Sequence, residues 1–282
     1  MRPATIQKTA RACWRARIGD REAGVATAHP GSEPGARVVR LSVDPAYRRG
    51  GVGRLLFEAV RADLLRDGCR TAEAMVVAGS AGEAFATGLG AAVGDELVDA
   101  VLSFEVVDWP ELRRLSAAPP GYVLRDWTGR APDRLVESYV RAKRSIADAP
   151  NRHPPPVPAW DTDLVRAHER DRADRQAELR VAAAMLAGTG TVVAFTEMET
   201  VADSTEASQV DTVVLPGHRR KGLATAVKAR LLLRVHEARP DLVSSRVTCA
   251  LANTGMRAVN RRLGFRDEQR RTLYRLELRP PG

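Results

Sequence analysis

The stretch Ser208–Leu232, SQVDTVVLPGHRRKGLATAVKARLL, decides the fold. Val210–Leu215 is β-rich, and Pro216, which has no N–H to give to a ladder, ends the strand. A basic loop with one glycine follows. Leu223, Val227, Leu231 and Val235 then recur every four residues, the mark of a helix with one buried stripe. The same order occurs once before, in Arg37–Leu65, RVVRLSVDPAYRRGGVGRLLFEAVRADLL, where Val52, Leu56, Val60 and Leu64 make the stripe. Arg48 precedes Arg219 by 171 positions, and the chain reads as a duplication.

The start of each helix is where chemistry is expected. The first N–H groups of a helix lack intrahelical partners, and the macrodipole favours an anion there. Gly222 permits close backbone approach, and Arg219, Arg220 and Lys221 add positive charge. A phosphate or pyrophosphate fits such a loop.

Arg219-x-x-Gly222-x-Ala224 and Arg48-x-x-Gly51-x-Gly53, each after a strand ending near a proline, resemble the acyl-CoA pyrophosphate loop of GNAT N-acyltransferases. The run Asn253–Phe265, NTGMRAVNRRLGF, is similar to that family's second signature, an asparagine followed by a helix and a Gly-Phe ending. The likeness is strong over 179–278 and weak over 14–107, and the layout is similar to that of tandem GNAT enzymes such as mycothiol synthase. The resemblance implies an α/β (α+β) fold of two GNAT-like domains, each a mixed, mostly antiparallel sheet flanked by helices. It also implies acetyl-CoA as co-substrate, no metal, and the primary amine of a small molecule as acceptor. A protein N-terminus or lysine as acceptor, or acyl-CoA binding without catalysis, are the alternatives.

At 282 residues the chain has room for two domains of ordinary size. Its 44% hydrophobic and 28% charged residues are those of a soluble globular protein. No apolar run reaches the ~18 residues of a membrane span. The opening MRPATIQKTARACWRARIGD lacks the apolar centre of a signal peptide, so a cytoplasmic protein without membrane partners, monomeric or homodimeric, is expected. Cys13, Cys69 and Cys249 are widely spaced and show no paired pattern for a metal or a disulfide. The net charge of +9 comes mostly from arginine, since Lys8, Lys143, Lys221 and Lys228 are the only lysines. The arginines are scattered without interleaved aromatics, which argues against a nucleic-acid partner.

Trp14–Ile18 and Glu22–His29 around Gly19-Asp20 predict a hairpin, and Thr71–Val77 a strand. The segment 78–91 stands where the second copy has its N…LGF run, but lacks the asparagine and ends Gly90-Ala91. Asp95–Val107 predicts a closing strand, and 109–121, with Pro110, Pro119 and Pro120, a linker between domains at 1–108 and 122–282. Tyr122–Trp127 predicts a strand, Ala131–Ala147 and Asp161–Glu178 helices, Asn151–Pro158 a spacer, and Arg180–Leu186 with Thr191–Met198 a second hairpin. About sixty residues precede that hairpin in the second copy and thirteen precede its counterpart in the first. The N-terminal copy is therefore expected to be truncated, without its opening strand and helices, and non-catalytic.

Acyl transfer to an amine needs a polarised thioester, a base for the ammonium and a proton for the thiolate. The resemblance assigns the pantetheine strand to Thr212, Val213 and Val214, and the phosphate loop to Arg219, Arg220, Lys221, Gly222, Leu223, Ala224 and Thr225. Asn253, which can cap the next helix, is implied to touch the CoA arm, and Asn260 stands where many members carry the tyrosine acid. For the base, Glu197 at the end of an apolar strand comes first and Asp211 second, with strand alternation placing Asp211 on the opposite face unless a bulge intervenes. Tyr274 on the last strand is the substitute acid. His218 reads as a solvated loop residue.

Overall fold

Both stripes read from the sequence are buried, on the helices Val52–Arg66 and Leu223–Ala238. Each such side chain stabilises by about 1.5–3 kcal/mol relative to exposure. The computed structural model describes residues 3–148 and 158–279. Its elements are β1 Thr5–Ala10, β2 Cys13–Ile18, β3 Arg21–Pro30, β4 Ala36–Val43, α1 Val52–Arg66, β5 Thr71–Val77, α2 Ala81–Gly88, β6 Ala92–Ser103, α3 Trp109–Leu115 and β7 Tyr122–Thr128. There follow α4 Asp133–Arg144, α5 Thr162–Asp174, β8 Ala177–Leu186, β9 Val192–Val201, β10 Glu206–Val214, α6 Leu223–Ala238, β11 Ser244–Ala250, α7 Thr254–Arg262 and β12 Arg266–Glu277. Most of the expected proline-rich spacer, 151–157, lies outside the described residues.

The chain forms two compact units, Met1–Glu96 with Arg271–Gly282, and Leu97–Arg270. This departs from the expected division at 109–121. In the first unit the sheet order is β1-β2-β3-β4-β5-β12, and in the second β6-β11-β10-β9-β8-β7. The pairs β4–β5 and β10–β11 are parallel and the others antiparallel, so each sheet is mixed and mostly antiparallel, as the resemblance implied. Each unit completes its sheet with a strand from the other half of the sequence. Arg271–Glu277 of β12 pairs with β5, from Arg271↔Val77 to Glu277↔Thr71. Leu97–Ser103 of β6 pairs with β11, from Ala250↔Leu97 to Ser244↔Ser103. The cause is elementary: β5 and β11 each carry a row of backbone groups that needs a partner, and a ladder edge does not distinguish one copy's closing strand from the other's.

Two further expectations change. The supposed linker holds α3, whose start is fixed by Asp108, its Oδ1 accepting from Glu111 N–H at 2.9 Å, with Pro110 in the first turn. Proline is at home in a first helical turn, so the feature read as a spacer was a helix start. The opening strand of the first copy is present as β1, paired with β2 from Thr5↔Arg17 to Ala10↔Cys13; what separates the copies is that β1 turns directly into β2 while α4 and α5 separate β7 from β8.

In the second unit the sheet is covered on both faces. Leu223, Val227 and Leu231 of α6 pack with Leu112 and Leu115 of α3 in one core. Val136, Tyr139 and Val140 of α4 pack with Val165, Val181 and Phe195 in the other. In the first unit α1 packs on β2, β3 and β4 around Trp14, whose indole N–H donates to Asp63 at 3.0 Å.

Candidate acyl-CoA clefts

The two loops share one backbone form. After β4 comes a single 3-10 turn, Pro45–Tyr47, and after β10 another, Pro216–His218. Arg49 and Arg220 both take φ of 62°, a left-handed conformation, and Gly51 and Gly222 follow with φ of 81° and 78° at the N-caps of α1 and α6. No side chain caps either helix, and the space over Gly51 is open where a Cβ would stand. The leading N–H groups of both helices therefore face outward, free to bind a phosphate.

The first arginine of each loop also anchors the loop to its strand. Arg48 Nε donates to the Val43 carbonyl at 3.0 Å, and Arg219 Nε to the Val214 carbonyl at 3.1 Å, so each guanidinium ties the loop to the end of its strand. Arg219 is also paired with Asp148 at 3.2 Å. Arg219, Arg220 and Lys221 are all exposed. His218, expected to be solvated, shares a hydrogen bond with the Tyr122 hydroxyl at 2.9 Å.

Both parallel pairs are short and then part. β4 meets β5 only over Ala36–Val38 and Thr71–Glu73, and β10 meets β11 only over Glu206–Gln209 and Ser244–Val247. Beyond these points the two strands no longer pair with each other, which leaves room between them for a thioester arm. In the first unit the parting opens a cavity of about 880 Å³ walled by Leu41, Phe57, Met75, Phe85 and Tyr274.

On β10 the register slips between Gln209 and Thr212, so that Val210 and Asp211 together oppose Glu197 of β9. This is a bulge, and it turns Asp211 toward the side on which Glu197 lies. Lys143, in the last turn of α4, reaches both carboxylates, with Nζ 2.5 Å from Glu197 Oε1 and 3.4 Å from Asp211 Oδ2. The Tyr139 hydroxyl also donates to Glu197 Oε1. Glu197 is fully buried, so desolvation lifts its carboxyl above the usual carboxylate range against the pull of Lys143, and the negative Asp211 adds to the lift. It reaches no open cleft as a base would. Asp211 is partly exposed and sits one residue before Thr212, whose hydroxyl bonds Thr196 Oγ1 at 2.7 Å.

Val213 is buried and Val214 partly so. Asn253 caps α7, its Oδ1 accepting from Met256 N–H at 3.1 Å. Asn260 is buried, and its Oδ1 has no hydrogen-bond partner. Tyr274, expected beside these residues, lies instead in the first unit, opposite Ala74 of β5, with its hydroxyl donating to Glu83 Oε1 at 3.1 Å. The strand exchange moved it. Sequence reading missed Lys143 and Tyr139, and also Lys228, a fully buried lysine on α6 with no hydrogen-bond partner for its amine. Their signal was compositional: lysine is so rare here that each one merits a reason. Among the described residues no group of three His, Cys, Asp or Glu could hold a metal, and no helix is long and apolar enough to cross a membrane.

Comparison with known proteins agrees with this geometry. A sequence model described as Acetyltransferase (GNAT) domain matches residues 9–86, and one described as Acetyltransferase (GNAT) family matches 144–265. Among solved structures, a tandem GNAT protein from the clavulanic acid biosynthesis pathway is 26% identical, with a TM-score of 0.76 over 96% of this chain and 83% of that one. A GCN5-related N-acetyltransferase from Sphaerobacter thermophilus is 17% identical, TM-score 0.73, over 97% and 83%. Another, from Kribbella flavida, is 15% identical, TM-score 0.57, over 92% and 88%, and these last two speak to the fold alone. No curated protein matches the sequence. Two family matches in series, each covering a loop of the same backbone form, make the chain a tandem, two-domain acetyltransferase of the GNAT family.

Proposed function

We propose that the chain transfers the acetyl group of acetyl-CoA to the primary amine of a small molecule by direct attack, in the cytoplasm. The observation that carries this reading is the repeated loop at a parted parallel pair, with Asp211 held at the bulge beside the second one. The likeness to a tandem GNAT protein of the clavulanic acid pathway supports a small-molecule acceptor. The likeness to mycothiol synthase is one of layout.

In the second unit, the N–H groups of Leu223, Ala224 and Thr225 bind pyrophosphate, with Arg220 and Lys221 adding charge. The edge of Thr212–Val214 that has parted from β11 holds the thioester arm, and Asn253 and Asn260 border it. Asp211 takes the proton of the incoming ammonium, and its ion pair with Lys143 holds that carboxylate in place. The buried Glu197 acts through Lys143.

The cavity favours a second reading, in which the first unit also holds acetyl-CoA and Tyr274 gives its proton to the leaving thiolate there. Calorimetric titration with acetyl-CoA, then a thiol-release screen against aminoglycosides, amino acids, polyamines and peptides, tests both. One or two sites with turnover on a small amine are expected. Turnover on peptides alone would replace the acceptor, binding without turnover would leave an acyl-CoA-binding module, and no binding would remove the loop assignment.

A further inference from the structure

Lys143 is buried in a setting made for an ammonium group. Two carboxylates flank it, and its Nζ lies 4.6 Å from the ring centre of Trp160, 5.2 Å from Phe195 and 5.3 Å from Tyr139. Ring faces and carboxylates together are the means by which proteins recognise an amine in its charged form. One of those carboxylates belongs to Asp211, on the strand whose next three residues are assigned to the thioester arm.

We propose that Lys143 is itself an acetyl acceptor, so that the second unit acetylates its own buried lysine from acetyl-CoA. The inference rests on the reading that the thioester lies along Thr212–Val214. Lys143 gives one ammonium proton to Glu197, the free amine attacks the thioester carbonyl, the carbon–sulfur bond breaks, and the second nitrogen proton ends on the departing thiolate as CoA thiol. Glu197 is suited to keep its proton, because its buried Oε2 has no partner and burial favours its neutral form. The product pairs a neutral amide with a neutral Glu197 in the buried part of the site, and Asp211, which loses its cation, is partly exposed to water. Lys228, the other buried lysine, has no carboxylate to take its proton and packs 5.5 Å from the Phe265 ring. It serves as an internal control.

The test uses the full chain with acetyl-CoA and no added amine. Peptide mass spectrometry reads the four lysines, thiol release counts turnovers, and calorimetry on the same protein reads binding. The expected result is a single burst of about one thiol per chain, the stoichiometry of direct transfer, with the acetyl group on Lys143, lost in both Lys143→Arg and Gly222→Trp. Arginine keeps the charge and the pairing, so its variant separates folding from chemistry. Acetyl-CoA bound to the second unit with Lys143 unmodified, or the label on Lys8, Lys221 or Lys228 instead, would overturn the proposal alone. No binding at all would take the loop assignment down with it.

Discussion

The two clefts share a backbone and differ in what fills them. Phe57 stands six residues beyond the loop glycine on α1, and Lys228 six beyond it on α6; Leu89-Gly90-Ala91 ends α2 as Leu263-Gly264-Phe265 ends α7. Phe57 and Ala86, themselves buried, border with Ala91 a cavity lined mostly by apolar side chains. Their counterparts Lys228 and Asn260 put polar side chains at the matching buried positions, with Lys228 Nζ and Asn260 Oδ1 lacking hydrogen-bond partners, and Phe265 replaces the alanine. What a duplication holds fixed is the part done by main chain, the left-handed arginine and glycine at the helix start, whereas the walls are free to drift toward different contents.

The comparison breaks first at Lys143. Lys143→Met strands the buried Glu197 charge and is expected to destabilise the second unit by about 3–5 kcal/mol, read as a drop in its urea midpoint; adding Glu197→Leu should recover most of the loss. Next come the loops. Gly51→Trp and Gly222→Trp each place a side chain over the free N–H groups and should lower acetyl-CoA affinity at that unit about 100-fold, or about 2.7 kcal/mol. Calorimetry on the two variants would assign the sites one by one; if either change removes all binding heat, a single cleft holds the donor.

Lys228 gives an effect of opposite sign. An unpartnered buried amine is a cost, so Lys228→Met should stabilise the second unit by about 1–3 kcal/mol. Burial pulls the Lys228 amine down to about 7 from its ordinary 10.5. Between those values the unfolded chain binds more protons than the folded one, so stability should rise with pH across that window, by up to about 1.4 kcal/mol per pH unit, and level off on either side. The slope should vanish in Lys228→Met, as denaturation from pH 6 to 10 would reveal. Smallest is Tyr274→Phe, which removes one hydrogen bond and should cost the first unit about 1 kcal/mol. A fall in turnover at unchanged acetyl-CoA affinity would mark it as the acid of that cleft.

The loops and helix stripes were legible because a glycine, a proline and a four-residue recurrence are local signals. Asp211's direction was not, since the bulge at Val210–Asp211 leaves no mark in composition and reverses every side chain after it. Lys143 was legible in principle: it continues the buried stripe of Val136, Tyr139 and Val140 on α4, and a charge on such a stripe calls for a partner. The partners, Glu197 and Asp211, lie more than fifty residues away and only the fold brings them. The home of Tyr274 depends on which ladder edge accepts the last strand, a choice between two similar edges that no local pattern encodes.

That last strand also fixes an order of assembly. During synthesis the second unit, Leu97–Arg270, leaves the ribosome as one uninterrupted piece and can close its sheet with a strand already made. The first unit, though translated earlier, must wait with the edge of β5 bare until Arg271–Glu277 emerges. The older half of the nascent chain is thus the later to mature, and a stop codon placed shortly before Arg271 would injure the end of the protein farthest from it in sequence.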